Sequence, residues 1–252
     1  MAKQKGIIKL DGTIGDITFY KSTLDGHLAR EKGGVSGDRI ANDPAFQRTR
    51  ENGAEFGAAG KAGKTLRKAI RGLLQNASDS RMVSRLTQEM VKVLQADATN
   101  PRGQRNVIDG EAEMLEGFEF NKNGKLGSTF FAPYTGTIDR VTGALTVDIP
   151  AFVPQNLIDA AGGSTHYKIV SAGAEVDFEN EKFVVDTKET AILPWDANPT
   201  AVINLANAVT ANSTHPLFLA LGICFYQEVN GQMYPLKNGA FNALALVKVL
   251  GL

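Results

Sequence analysis

The chain has 252 residues but a single cysteine, Cys224, a single tryptophan, Trp195, and only three histidines. One thiol excludes an intramolecular disulfide framework and any zinc site built from several cysteines. Cys224 also sits in the apolar run 218–225, where a thiol is expected to be buried and inert. His27, His166 and His215 are far apart, and none has a metal-ligating neighbour at helical or strand spacing. No apolar stretch approaches the ~20 residues that a membrane helix needs. No apolar segment of a secretory signal follows the early Lys3 and Lys5. Nor does any Ser-His-Asp or Cys-His set stand in the local context that nucleophilic catalysis requires. These absences lead to the expectation of a non-enzymatic chain with no cofactor, metal or membrane span. It is expected to be cytoplasmic as synthesised, with release as part of a particle or extracellular filament left open.

One motif invites a nucleotide and fails on inspection. Ala58-Ala59-Gly60-Lys61-Ala62-Gly63-Lys64-Thr65 ends as a phosphate-binding loop does, but alanine replaces its first glycine. Such a loop must also follow a buried strand, and Glu51-Asn52-Gly53-Ala54-Glu55 is no strand. The acidic Asp177, Glu179 and Glu181 lack the dense ligand spacing of a calcium loop and read as a solvated turn.

What the chain does have is a charge asymmetry hidden by its net charge of zero. Residues 1–110 carry 19 Lys and Arg against 12 Asp and Glu, a balance of +7. Residues 111–252 carry 8 against 15, a balance of −7. Such a split suits a basic face that meets acidic residues of the second half, in the same copy or in the next. The plainer reading is two solvated faces with no partner. A basic arm for nucleic acid is the weaker reading, because the basic helix lacks interleaved aromatics and any DNA-reading motif.

The N-terminal stretch 5–32 reads as a β-meander. Gly6-Ile7-Ile8-Lys9-Leu10 is a short apolar strand, Asp11-Gly12 a hairpin turn, and residues 14–21 alternate with Ile17 and Phe19 on one face. A further turn at Leu24-Asp25-Gly26 leads into His27-Leu28-Ala29-Arg30. So small a sheet has too few large apolar side chains to stand alone in water. Asp43-Pro44 then starts a helix expected to run to about Gln75. Gly53, Gly57, Gly60 and Gly63 interrupt it, each costing roughly 0.8–1 kcal/mol relative to alanine. Gly53, Gly57 and Gly60 share one face, which either admits another backbone or marks a break near Gly53. Leu66, Ala69, Ile70 and Leu73 form an apolar stripe, opposite Lys64, Arg67, Lys68 and Arg71. A second helix, capped by Ser78 or Asp79, aligns Met82, Leu86, Met90, Val93 and Leu94, so the pair forms an αα-hairpin.

From Phe118 onward short strands and Gly/Asn turns replace helical periodicity, beginning with a hairpin of 117–120 and 125–132. Asn230-Gly231 is the strongest turn signal, and the continuously apolar 217–225 suits a central strand covered on both faces. The reading is an α+β chain with four parts: a β-meander arm over 1–34, a helical hairpin over 35–103, a linker over 104–116, and an antiparallel β-sandwich of Greek-key or jelly-roll type over 117–252.

Gly12-Thr13-Ile14-Gly15-Asp16-Ile17-Thr18-Phe19-Tyr20-Lys21, with Gly26 and Arg30 beyond it, resembles the opening of an uncharacterised protein family common in Bacteroidota genomes. In that family a Gly-x-x-Gly hairpin leads to an arginine and then to a Gln-x-x-Arg helix start, matched here by Gln47-Arg48-Thr49-Arg50. The resemblance implies a helical segment and a C-terminal β-sandwich, and it implies no activity and no functional residue. After Arg30 the two part company, with Glu31-Lys32-Gly33-Gly34 in place of a more basic, proline-containing stretch.

The functional expectation is a structural subunit, of phage or phage-like origin, that assembles with copies of itself into a filament, tube or shell. It does so by exchanging its N-terminal arm with neighbours. The expected interface comprises Ile7, Ile8, Leu10, Ile17, Phe19, Tyr20, Leu28 and Arg30 of the arm. It continues on the helix with Gly53, Gly57, Gly60, Lys64, Arg67 and Arg71. The alternative is a monomeric β-sandwich that binds a ligand or nucleic acid through the basic helix face.

Overall fold

The structure, a computed structural model, describes residues 2–31, 33–236 and 241–252. Met1 and Lys32, both assigned to the arm from sequence, lie outside the described residues. The chain divides into two compact units, 1–50 and 51–252.

The first unit holds a four-stranded antiparallel sheet of order β1-β4-β3-β2. Its strands are β1 (Ala2–Lys3), β2 (Gly12–Ile14), β3 (Ile17–Ser22) and β4 (Gly26–Glu31). The meander is present, but its first strand and first turn are not where the sequence suggests. The tight turn is Gly15-Asp16, where Gly15 at φ +57° supplies the left-handed backbone a hairpin of the right twist needs. Residues 6–10 form no strand. Gln4 explains why: its side chain accepts from the Leu10 N–H (2.9 Å) and donates to the Leu28 carbonyl (2.9 Å), so the segment folds back as a loop. Beyond β4 come the one-turn α1 (Gly37–Asn42), capped by Ser36, and a 3₁₀ turn over Pro44–Phe46 capped by Asp43. Arg50 ties these together by donating to the carbonyls of Ile40 (2.7 Å) and Asp43 (3.0 Å).

In α2 (Gln47–Ala69) the helix passes through all four glycines without a break. The interruption falls instead at Ile70, after which α3 (Arg71–Leu74) adds a single turn. Antiparallel to α2 runs α4 (Met82–Gln95), whose Met82, Leu86, Met90, Val93 and Leu94 are buried on the expected stripe. The glycine at which the two helices approach is Gly63, where an added Cβ would lie 3.6 Å from Leu86.

The C-terminal region is antiparallel throughout. Its helical pieces are the single turns α5 (Leu126–Thr129) and α6 (Pro154–Leu157). β5 (Thr135–Asp139), β6 (Ala144–Ile149) and β10 (Ile203–Ala208) make a three-stranded sheet of order β10-β6-β5. β7 (His166–Asp177), β8 (Lys182–Glu189), β9 (Leu193–Pro194), β11 (Leu217–Val229), β12 (Gln232–Pro235) and β13 (Ala243–Leu250) make the larger sheet. The sheets curl towards each other into a half-barrel, with the Ala208 N–H donating across one edge to Asp186 (3.0 Å).

β11 is covered on both faces, as its unbroken apolar run implies. Phe218 and Ala220 join a core with α2, α4, β7 and β13, whereas Leu217, Leu219, Leu221, Ile223 and Phe225 face the three-stranded sheet. Gly173 of β7 is what lets the sheets close: a Cβ there would lie 2.8 Å from that of Asn207 and 3.2 Å from that of Leu145. The expected linker 104–116 is not a free tether. Val107, Ala112 and Leu115 are buried in the helix-facing core, with Ala112–Leu115 wound as a 3₁₀ turn. The expected hairpin of 117–120 and 125–132 is likewise absent. The first segment bonds instead to β13, with Phe120 N–H donating to Leu244 O (2.8 Å) and Leu246 N–H to Phe118 O (3.0 Å). That covers the outer edge of β13 with backbone rather than leaving it open.

Candidate assembly interface

In the first unit, alternation along β3 and the pairing to its neighbours define two faces. One carries Tyr20, Leu28 and Arg30, with the Arg30 guanidinium 5.5 Å from the centre of the Tyr20 ring. Leu28, 6% exposed, is the one described apolar side chain of this unit that is buried. The opposite face carries Ile14, Ile17, Phe19, Ala29 and Ala2, since Ile14 pairs with Ile17, and Phe19 and Ala2 both pair with Ala29. Ile14 and Ile17 remain 64% and 46% exposed. Ala2, Asp16, Ile17, Ala29, Arg30 and Glu31 line an open groove of about 580 Å³. Ile7 and Ile8, at 102% and 80% exposure, stand in the loop and not on either face, and Leu10 leaves the same loop.

On the second unit, Gly53 and Gly57 are exposed and Gly60 is half-buried. An added Cβ at any of the three would meet no heavy atom within 4 Å. Within the second unit's described residues the glycine face is therefore open surface. Lys64 and Arg71 are exposed, whereas Arg67 donates through Nε to the Gly63 carbonyl of its own helix (3.2 Å). The basic face does meet acid within the same copy. Lys61 pairs with Glu181 at 3.0 Å. That pair, with Lys64 and Lys68 nearby, holds the Glu181 carboxyl below the usual range. Part of the charge asymmetry is thus satisfied internally. Asp177, in the same β7–β8 turn, accepts from the N–H groups of Glu179 (3.1 Å) and Asn180 (2.9 Å), a capped turn rather than an open ligand cradle.

Among the described residues no group of three or more His, Cys, Asp or Glu could hold a metal. Gly60 to Thr65 lies inside α2, so its N–H groups are engaged in helical bonds and cannot cradle a phosphate. Cys224 is buried, and burial pushes its thiol up to about 11. Among the described residues no helix is long and apolar enough to cross a membrane.

Sequence reasoning missed Ile14, Lys21 and Glu31 as residues of the open face. The signal was present in Ile14-Gly15-Asp16-Ile17: a Gly-Asp turn places its two flanking isoleucines side by side. No family model, curated protein or solved structure matches the chain.

Proposed function

We propose that the protein is a structural subunit, made in the cytoplasm, that self-assembles into a filament, tube or shell through its N-terminal sheet. One observation carries this reading. The first unit is an ordered four-stranded sheet with one buried apolar side chain among its described residues, Leu28, and an apolar face open around Ile14 and Ile17. At roughly 25 cal/mol per Å² of buried apolar surface, a single leucine cannot offset the ordering of some fifty residues. The sheet gains stability when something covers that face. Its outer strands β1 and β2 also present unpaired backbone groups, the template by which one sheet extends another. A neighbour that takes up the arm while giving its own repeats the contact from copy to copy, and such a contact propagates or closes into a ring.

The test is size and shape together. Light scattering and negative-stain microscopy of the full chain are expected to reveal polymers or closed particles. A version lacking residues 2–50 retains both cores of the second unit and is expected to be a folded monomer. A full chain that stays monomeric at high concentration would sink the proposal and favour the monomeric binding module.

A further inference from the structure

The open face of the N-terminal sheet has a polarity that selects its partner. On its apolar centre stand Ile17, Phe19 and Ala29, flanked by Ile14 and Ala2. At one end of the strands Glu31 pairs with Ile17, and Asp16 lies in the adjoining turn. At the other end Lys21 pairs with His27. The two ends are four residues apart on β3, about 13 Å. Asp25, in the turn beyond Ser22, lies past the ends of the strands rather than on the face. Lys21 and Glu31 are exposed, and no ion pair joins either to another described residue.

We infer that this face packs against the same face of a second copy about a two-fold axis running across the strands. The inference rests on the reading of the N-terminal sheet as the assembly element. Two sheets stacked ~10 Å apart can be related by a two-fold axis along the strands or across them. An axis along the strands sets Lys21 beside Lys21 and Glu31 beside Glu31, which costs free energy. An axis across them reverses the partner, so each Lys21–His27 end lies over the other copy's Glu31–Asp16 end. The isoleucines and Phe19 meet between. The interface is isologous and self-complementary, with each charge contact made twice. It leaves the backbone edges of β1 and β2 free, so the same sheet can join two copies face to face and still be extended at its edges. Assembly is then built from dimers.

Charge reversal tests this on the full chain, by sedimentation velocity across a concentration series. Lys21→Glu and Glu31→Lys are each expected to weaken face pairing roughly tenfold or more, since each turns two attractive contacts into repulsive ones. An equimolar mixture of the two variants should associate as the wild type does, because every crossed pair is again of opposite sign. The double variant Lys21→Glu/Glu31→Lys should recover alone, and the loss in either single variant should shrink in high salt. If both single variants associate as tightly as wild type, or if the mixture stays as weak as its components, the two-fold pairing is overturned. The arm reading survives that result as long as removal of residues 2–50 still abolishes assembly. A wild-type chain that never associates overturns both.

Discussion

Single polar side chains fasten several loops and chain segments in place. Asp97 is 1% exposed, and it accepts from the N–H groups of Thr99 (2.8 Å), Asn100 (2.9 Å) and Asn106 (3.1 Å) and from the Asn100 amide. Burial alone would raise its pKa, but these four donors outweigh it and hold the carboxyl down at about 2. Because the folded pKa lies below the ordinary value, the stabilisation is fully present above about pH 4. It is lost as pH falls towards 2. Wild type should therefore be more stable than Asp97→Asn at pH 6, with the gap closing between pH 4 and 2, as read from urea unfolding at each pH. Arg140 has a comparable part, donating to the carbonyls of Ser213 (2.6 Å), His215 (2.9 Å), Leu250 (3.3 Å) and Gly251. Asn242, 2% exposed, accepts from the Phe225 N–H (3.0 Å) and donates to the carbonyls of Asn76 (2.9 Å) and Leu236 (3.0 Å). None of these roles was legible in the sequence. A buried Asn or Arg acquires its meaning only from carbonyls that the fold brings together, and no local pattern records them.

Among the elements, α2 shows how a correct observation can carry the wrong emphasis. Gly53, Gly57 and Gly60 do share a face, but that face is open, and the internal helix contact is made at Gly63. Since nothing lies within 4 Å of the Cβ each would gain, Gly53→Ala and Gly57→Ala should each stabilise the protein by about 0.5–1 kcal/mol. Denaturant midpoints of the two variants check this, and a loss at either would mean that its face is occupied. The long elements were readable because the sequence writes out their burial, periodically in the α4 stripe and without interruption over 217–225. The N-terminal meander was readable in kind but not in register. Asp11-Gly12 and Gly15-Asp16 are both good turns by composition, and the choice fell to Gln4, a side chain that bonds both to the loop and to β4. The supposed linker hid because Val107, Ala112 and Leu115 are too sparse to show a period, although each fills a place against the helices.

Taken whole, the molecule pairs a second unit with two cores and a first unit with almost none. That contrast predicts unequal local stability. In monomeric protein, amides of β3 and β4 should exchange with solvent orders of magnitude faster than those of β11, and the proposed assembly should slow the former selectively. Equal protection in the monomer would mean that the sheet is supported by something besides a neighbour. The helical hairpin and the sheets were anticipated as separate regions, yet they share one core through Phe218, Ala220, Leu244 and Leu246. The α+β class was legible from the switch of periodicity near Phe118. The sharing was not, because β7 offers the helices small residues, Ala172 and Ala174, that carry little hydrophobic signal.

β13 has a consequence for the order of events at the ribosome. It lends Leu244, Leu246 and Val249 to one core and Ala243 and Ala245 to the other, and it pairs with both β11 and the 117–120 segment. It is also the last of these elements to be synthesised. Until it emerges, the helices and earlier strands wait with both cores unsealed and the edge of β11 bare, an exposed state that delays folding of the second unit until β13 is made.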